Sequence, residues 1–478
     1  MHKTVLLLLV GIAIVPVGCT LAPTYTRPAA PVSSVWPTGA AYAETQAGPA
    51  TTPAAGLGWR EFITDEKLGR VIETALSGNR DLRLAALAVE RARALYGVER
   101  DQLYPEVSAT AAGSKQRTSI DLTSSGASRT SKQYSVDVGV FSWELDFFGR
   151  IRSLKDEALE DYLATAQGQR SAQVLLVAAV ADAYLALAAD REALALAEST
   201  LQAQQAAYNL VRRQYDNNIA TELDLYRAQV PLETARRDIA RYTQRVAQDR
   251  NGLDLLAGSP VPDELLPAGL GSVGLLTPIA PGLPSAVLYS RPDVLAAEHQ
   301  LRGAHAFIGA ARAAFFPRIS LTSTLGTAST ELSNLFASGR GTWSFGPDVE
   351  VPIFDARTWS AYRVSKVQRE IAVAGYERAI QNAFREVADA LAVRGTVDQQ
   401  FAAQEALVKA LSETHRLALA RFEEGLDSYL GVLDAQRALF AGQQVLVALR
   451  LAQRTSLVQL YAALGGGWQS DTAAAIFP

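Results

Sequence analysis

The stretch RFEEGLDSYLGVLDAQR, residues 421–437, has an earlier counterpart in the same chain, QYDNNIATELDLYRAQV, residues 214–230. Both follow a long run without proline and precede another helical pattern. Gly425 in one copy and Asn218 in the other, 207 residues apart, are residue types that accept a positive φ. Each stretch therefore predicts a tight turn between two helices, and the pair predicts a duplicated chain.

The duplication extends outward from these turns. Tyr104-Pro105 returns as Phe316-Pro317, at a spacing of 212 residues, and Phe147-Phe148-Gly149-Arg150 returns as Phe354-Asp355-Ala356-Arg357. A Gly/Pro-rich stretch from Gly258 to Pro284 joins the copies. Repetition on this scale predicts a tandem structural repeat.

Each copy has the pattern of a helix, two strands, a very long helix, a turn and a returning helix. The very long helices lack breakers for roughly 60 residues, or roughly 90 Å at 1.5 Å per residue. Helices of this length are typical of coiled coils and helical barrels. The predicted helices run from Leu68 to Leu103, Arg152 to Tyr215, Thr221 to Ala257, Ser285 to Phe315, Thr358 to Phe422, and Ser428 to Leu464.

Four segments alternate between apolar and polar residues, as half-buried strands do. They begin near Val107, Tyr134, Ile319 and Trp343, and polar loops separate the paired strands. In the second strand the apolar phase shifts at Phe141, which predicts a bulge or an exit from the sheet.

The alternation is the signature of an outer membrane β-barrel, although a half-buried soluble hairpin has the same pattern. Four strands cannot close a barrel, because single-chain barrels need at least eight. Open sheet edges are not tolerated in lipid, so the chain is expected to oligomerise. Two copies would supply eight strands and three would supply twelve, and the spacing does not choose between them.

The N-terminus has the pattern of a bacterial lipoprotein signal. His2 and Lys3 precede an apolar run from Val5 to Val15, which is too short to span a membrane. Cys19 is the only cysteine and stands where such a signal ends. We expect it to carry a covalent lipid such as palmitate; the alternative is an unpaired thiol.

Several function classes are disfavoured. The net charge is −4 without a basic block, so nucleic acid is not an expected partner. Four scattered histidines and one cysteine predict no metal site and no cofactor beyond the lipid. His299 and His305 lie near each other but have no nucleophile beside them, so we interpret them as helix-surface residues and expect no enzyme.

With the Cys19 motif, the duplication and the turn at residues 421–437, the chain resembles TolC-type outer membrane factors, and within them the OprM-like efflux lipoproteins. The resemblance covers nearly the whole mature chain. It implies an α+β membrane protein: a homotrimer whose 12-stranded outer membrane β-barrel, with four strands per chain, continues into a long periplasmic α-helical barrel. It also implies a periplasmic adaptor, an inner-membrane pump of the RND type, and contact with outer membrane lipid.

The resemblance places a periplasmic gate at Leu430, Asp434 and Arg437. Their i, i+4, i+7 spacing puts them on one stripe of a helix, where three leucines would constrict a pore and three aspartates would favour cations. The alternative is that Leu430 packs on the partner helix and Asp434–Arg437 is a surface pair. Arg227 occupies the first-repeat position equivalent to Asp434, and we hypothesise that it pairs with a second-repeat carboxylate.

The predicted function is an outer membrane channel subunit of a tripartite efflux system, a gated exit duct for small molecules such as drugs. Alternatives are a channel for type I protein secretion and a structural coiled-coil lipoprotein or adaptor; the substrate is not predicted.

The predicted segments are a signal peptide (1–18), a lipid-anchored tether (19–60), the first repeat (61–258), a linker in the equatorial region (259–284), the second repeat (285–467) and a C-terminal tail (468–478).

Overall fold

The computed structural model of the chain describes residues 20–42, 57–124, 126–274 and 285–466. In these residues both halves contain a helix, two strands, a very long helix and a returning helix. The elements of the first half are α1 (Trp59–Phe62), α2 (Glu66–Gly78), α3 (Arg80–Asp101), β1 (Val107–Thr118), β2 (Arg129–Glu144), α4 (Arg150–Asp216) and α5 (Glu222–Ala257). Those of the second half are α6 (Pro292–Ala313), β3 (Arg318–Ser329), β4 (Gly341–Glu350), α7 (Ala356–Glu423) and α8 (Tyr429–Ala463).

The very long helices are as predicted: α4 has 67 residues and α7 has 68. A stretch of α4 is apolar and long enough to cross a membrane by composition, but 61% of it is buried within the protein. Its buried side chains include Val180, Tyr184 and Leu187. Packing against other helices therefore accounts for its composition.

The first predicted helix, Leu68 to Leu103, is wrong as a single element, because Asn79 divides it into α2 and α3. The Asn79 side chain accepts a hydrogen bond from the backbone N–H of Leu82 at 2.9 Å and so caps α3. In the second half, a 3₁₀ turn over Ser285–Ser290 precedes α6, which begins at Pro292. Proline is well placed there, because the first helical N–H has no partner within the helix.

Two compact units can be distinguished. The first consists of Met1–Ala29, Ala88–Thr165 and Ala296–Tyr376, and in the described residues it contains the sheet. The second consists of Ala30–Leu87, Ala166–Leu295 and Glu377–Pro478, and it contains both helix turns identified from the sequence.

The four strands form one antiparallel sheet in the order β1-β2-β3-β4. Val138 of β2 lies opposite Ala109 of β1 and Leu325 of β3, and Leu325 lies opposite Trp343 of β4. Directly opposed residues share a face, so one face of the sheet is apolar across all four strands, and Ser, Thr, Gly and Asp dominate the other. The apolar face is open: Leu325 is 70% exposed and Trp343 is 78% exposed.

The predicted bulge is confirmed in β2. The register steps from Val140 opposite Ser323 to Trp143 opposite Leu321, so β2 contains one extra residue there. Ser142, within the bulge, has a φ of 57°. The extra residue returns Trp143 to the apolar face after the phase change.

Most of the N-terminal segment, residues 20–42, lacks helix and strand, and specific contacts hold its first part. Glu298 of α6 is 3% exposed and accepts hydrogen bonds from Arg27 at 2.7 Å and from the Tyr25 hydroxyl at 3.0 Å. Near the start of the segment, Arg312 donates to the carbonyl of Leu21 at 3.0 Å. These contacts bind residues 21–27 along α6.

The interpretation of His299 and His305 as helix-surface residues is wrong, because neighbouring elements cover both. His299 Nδ1 lies 2.6 Å from Glu160 of α4. The His305 ring packs edge-on against Tyr25 with 5.5 Å between centroids. Burial, with a smaller contribution from the nearby Arg369 guanidinium, lowers the pKa of His305.

The first part of the predicted linker packs closely within the second unit. Leu266 and Leu270 are buried. The Tyr184 hydroxyl donates to the carbonyl of Leu265 at 2.8 Å, and Arg191 donates to the carbonyl of Pro267 at 2.6 Å. Residues 259–274 therefore contribute to the core, and residues 275–284 lie outside the described residues.

Each repeat closes where the returning helix ends beside the start of its own first helix. Asn79 donates to the carbonyl of Leu256 at 3.0 Å. Its counterpart 212 residues later, the buried Arg291, donates to the carbonyl of Ala463, itself 207 residues after Leu256. Arg291 also pairs with Asp293 and Glu386, each at 2.7 Å. The position of the joint is thus repeated, but its chemistry differs.

Gly258, which follows α5 at this joint, should be intolerant of a side chain. Its φ is +75°, and an added Cβ would lie 2.2 Å from the carbonyl oxygen of Gly78. We expect Gly258→Ala to lower the free energy of unfolding by at least about 1 kcal/mol, measured by thermal denaturation followed by circular dichroism.

Gly252→Ala is the matched control, because Gly252 is helical and has nothing within 4 Å of its added Cβ. This control should stabilise the protein by about 0.5–1 kcal/mol. Equal unfolding midpoints for the two variants would contradict the proposed steric conflict at Gly258.

Candidate functional site

The two helix turns have the same backbone conformation. Asn218 has a φ of 60° and Gly425 a φ of 71°. Each turn has one hydrogen bond spanning five residues and one spanning three, the arrangement of a Schellman motif. The bonds are Ile219 N to Gln214 O (2.8 Å), Asn218 N to Tyr215 O (2.9 Å), Leu426 N to Arg421 O (2.9 Å) and Gly425 N to Phe422 O (2.9 Å).

In the first repeat, a capping box begins the helix after the turn. The Thr221 hydroxyl accepts from the backbone N–H of Asp224 at 3.2 Å, and Asp224 accepts from the backbone N–H of Thr221 at 3.1 Å. The Thr221 hydroxyl also donates to this carboxylate and, as the largest cause, lowers the pKa of Asp224. The start of α5 is thus held by reciprocal bonds.

The second repeat lacks this capping box, because Gly431 occupies the position equivalent to Asp224 and Ser428 makes no side-chain cap. Instead, Arg421 at the end of α7 pairs with Asp427 across the turn and lowers the pKa of Asp427. The ring centroids of Tyr429 and Phe422 are 5.1 Å apart, and burial raises the pKa of the Tyr429 hydroxyl to about 12. An ion pair and an aromatic contact therefore hold the second turn.

The three predicted gate residues lie together on the exposed face of α8. Leu430 is 41% exposed, and Arg437 lies 3.4 Å from Asp434 with both side chains more than half exposed. Val432 and Ala435, on the opposite face, are buried, and so is Leu433 at the edge of the stripe. Leu430 is therefore available to a neighbouring chain or a pore, and its gate role stays a prediction.

Arg227 occupies the corresponding face of α5. It lies between the exposed Leu223 and Val230, and its guanidinium is 3.8 Å from Asp224 of its own helix. The structure of one chain thus pairs Arg227 locally rather than with a second-repeat carboxylate. Pro231, inside α5, has no N–H to donate to the carbonyl of Arg227 four residues earlier, which weakens the helix there.

The exposed side chains near the two turns could narrow a pore by their bulk and select ions by their charge. In the described residues, no cluster of three or more His, Cys, Asp or Glu side chains could hold a metal ion. Repeated around a symmetry axis, one exposed leucine and one exposed aspartate per chain would make an apolar ring and an anionic ring. The predicted lipid site at Cys19 lies outside the described residues.

Our sequence interpretation missed the residues that hold the turns. The Thr221-x-x-Asp224 spacing is a capping-box pattern, so this contact was recognisable. The Arg421–Asp427 pair crosses a turn and has no standard spacing. Pro231 was visible in the sequence, but the surrounding helical pattern obscured its effect on Arg227.

Comparison with known proteins gives one family. A family model described as outer membrane efflux protein matches residues 71–259 and again residues 283–466. The chain is 47% identical over 456 residues to the toluene efflux pump outer membrane protein TtgC of Pseudomonas putida, a match that covers 95% of this chain and 94% of that protein.

Solved structures agree with this result. A membrane protein from Pseudomonas aeruginosa is 40% identical with a TM-score of 0.88, over 96% of this chain and 100% of that chain. The open state of the Neisseria gonorrhoeae MtrE outer membrane channel is 35% identical with a TM-score of 0.84, over 95% of this chain and 100% of that chain.

The Arg227 hypothesis makes a specific prediction about leak. If Arg227 holds the aperture by pairing with a second-repeat carboxylate, Arg227→Ala should raise the conductance of the closed pore in planar-bilayer recordings. Arg236→Ala is the matched control, because Arg236 is similarly exposed on α5 and pairs with Glu233 three residues earlier. Unchanged conductance in Arg227→Ala, or the same rise in both variants, would refute the hypothesis.

Proposed function

The chain belongs to the outer membrane efflux protein family, as its resemblance to TolC-type factors predicted, and we propose that it forms the exit channel of a tripartite efflux system. The observation that carries the proposal is the exposed apolar face that continues across all four strands. Such a face in water would be an aggregation hazard, whereas in an outer membrane it meets lipid.

The channel is proposed to be a homotrimer. Among residues 20–42, 57–124, 126–274 and 285–466, no strand pairs with the outer side of β1 or β4, and lipid offers their N–H and C=O groups no partner. β4 of one copy can pair antiparallel with β1 of the next, so any number of copies continues the alternation. Three copies give twelve strands, the number that the family resemblance implies.

The proposed transport function requires partners that carry energy. The chain contributes a conduit and an aperture, and transport would be driven by an inner-membrane pump of the RND type through a periplasmic adaptor. The relative TtgC is described as part of a toluene efflux pump. For this chain we propose small molecules as the class of substrate.

The aperture is proposed to be formed by Leu430 and Asp434, with Arg437 beside them. Their exposure on α8, with the buried Val432 and Ala435 on the opposite face, supports this assignment. Replacing Leu430 removes apolar bulk from the constriction, and replacing Asp434 removes the anionic ring.

We expect the double variant Leu430→Ala/Asp434→Ala to show a larger single-channel conductance and a weaker cation preference than the wild type. The wild type should have a small, cation-preferring conductance, because the leucines narrow the pore and the aspartates attract cations. Purified protein in a planar bilayer provides the measurement.

The control is Glu413→Ala/Arg416→Ala on α7. Glu413 and Arg416 form an exposed ion pair with the i, i+3 spacing of Asp434 and Arg437. The control variant should conduct like the wild type. A pore with unchanged conductance in the gate variant would reject the gate assignment, and no pore in any of the three proteins would reject the channel.

Lipidation at Cys19 is proposed separately and has its own test. Mass spectrometry of the mature N-terminus should show an acylated cysteine, which anchors the chain by hydrophobic transfer of its acyl chains. Cys19→Ser should lack the acyl mass, whereas Thr20→Ala should keep it. A wild-type N-terminus without acyl groups would disprove this assignment.

A further inference from the structure

Within one chain, the turn between β2 and α4 in the first repeat packs against the second repeat. Phe148, two residues before α4 begins, stacks on Phe316, with 4.9 Å between ring centroids and 23° between planes. Phe316 directly precedes Pro317 and strand β3. An aromatic contact thus holds the C-terminal end of β2 beside the N-terminal end of β3.

Charged groups strengthen the same joint. Glu144, the last residue of β2, is only 9% exposed and lies 2.7 Å from Arg318, the first residue of β3. Arg150, the first residue of α4, lies 2.8 Å from the same carboxylate. The buried Glu144 carboxylate is therefore paired with two guanidinium groups, which offset the cost of its desolvation.

The duplication gives each chain a second set of these parts. In the repeat alignment Phe354 corresponds to Phe147, the neighbour of Phe148, and in the structure it lies two residues before α7, as Phe148 lies two residues before α4. Tyr104 precedes Pro105 and β1 as Phe316 precedes Pro317 and β3. In the single chain this second set is open: Phe354 is 89% exposed, Ile353 is 96% exposed and Tyr104 is 66% exposed.

We propose that the turn Ile353–Arg357 of one copy docks against Tyr104–Glu106 of the next copy, forming between chains the joint seen within the chain. This inference rests on the proposed oligomeric channel. β4 ends at Glu350, just before the turn, and β1 begins at Val107, just after Glu106. Antiparallel pairing of β4 with β1 brings these ends together, as pairing of β2 with β3 does within the chain.

The charges of the two segments are complementary. Glu106 takes the place that Arg318 has in the other copy of the repeat, so the sign is reversed. The docking turn supplies the opposite charge through Arg357, whose side chain is 93% exposed and lies 3.1 Å from Asp355 of its own turn. Arg357 can therefore pair with Glu106 of the next copy while Phe354 covers the Tyr104 ring.

Chemical cross-linking tests the contact in the full-length protein. With Tyr104→Cys and Phe354→Cys in one chain, a short bifunctional maleimide should convert monomers into covalent dimers and trimers on a denaturing gel. Either substitution alone should give none. Phe148→Cys/Phe316→Cys is the matched control, because the same reagent should link these residues within one chain and leave a monomer.

Native mass measurement separates the possible failures. An intact oligomer without cross-links in Tyr104→Cys/Phe354→Cys would overturn the joint and leave the channel proposal standing; lipid would then be the occupant of the exposed turn. Absence of any oligomer in wild-type protein would overturn both proposals.

A charge exchange gives a second measurement that needs no reagent. Glu106→Arg and Arg357→Glu should each lower the temperature at which the oligomer dissociates, and the two together should restore part of that loss. Additive losses in the double variant would refute the Arg357–Glu106 pair.

Discussion

A β-sheet in a membrane cannot leave backbone N–H and C=O groups unpaired at its edges, because hydrocarbon offers them no hydrogen-bonding partner. The described part of each chain supplies four strands, and its edge strands β1 and β4 are each unpaired on one side. The exposed apolar face, the bulge that preserves it, and the open turns at the strand ends are all consistent with this requirement. In the proposed channel, further copies of the chain would pair with these edges, and lipid would cover the exposed apolar face of the sheet.

The duplication preserves the positions of contacts more strictly than their chemistry. Asn79 and Arg291 both donate to the last carbonyls of a returning helix, one as a neutral amide and the other as a buried cation with two carboxylate partners. The helix turns likewise share a backbone motif but differ in their caps. The two repeats thus share one backbone framework but make different side-chain contacts. This is expected if the two halves of the chain alternate around the axis of an oligomer and meet different neighbours.

Much of this fold could be predicted from the sequence, because helices and strands follow short-range periodicity. The ends of α4, α5, α7 and α8 fall within two residues of the predicted ends, and the phase change at Phe141 revealed the bulge. The break at Asn79 escaped prediction because its partner carbonyl lies on Leu256, far along the chain. The contacts of His299 and Glu298 were missed for the same reason: their partners come from distant segments.

At the candidate gate, the resemblance to TolC-type factors identified Leu430, Asp434 and Arg437, and helical spacing showed that the three share one stripe. Which side of α8 is exposed depends on how α8 packs on α7, and spacing does not contain that information. The cap of the second turn depends on Arg421 meeting Asp427 across an irregular segment. The family motif thus identified the gate residues, whereas tertiary packing determined their orientation.

The binding of the N-terminal segment along α6 also sets a length scale. Arg312 holds the carbonyl of Leu21, two residues after Cys19, and two extended residues reach about 7 Å at most. A lipid on Cys19, as proposed, would therefore be tied within that distance of the contact between Leu21 and Arg312, near the point where the chain passes from α6 into β3. The segment would then fix the distance between the lipid and the barrel, and so the depth of the barrel in the membrane, which a flexible tether would not.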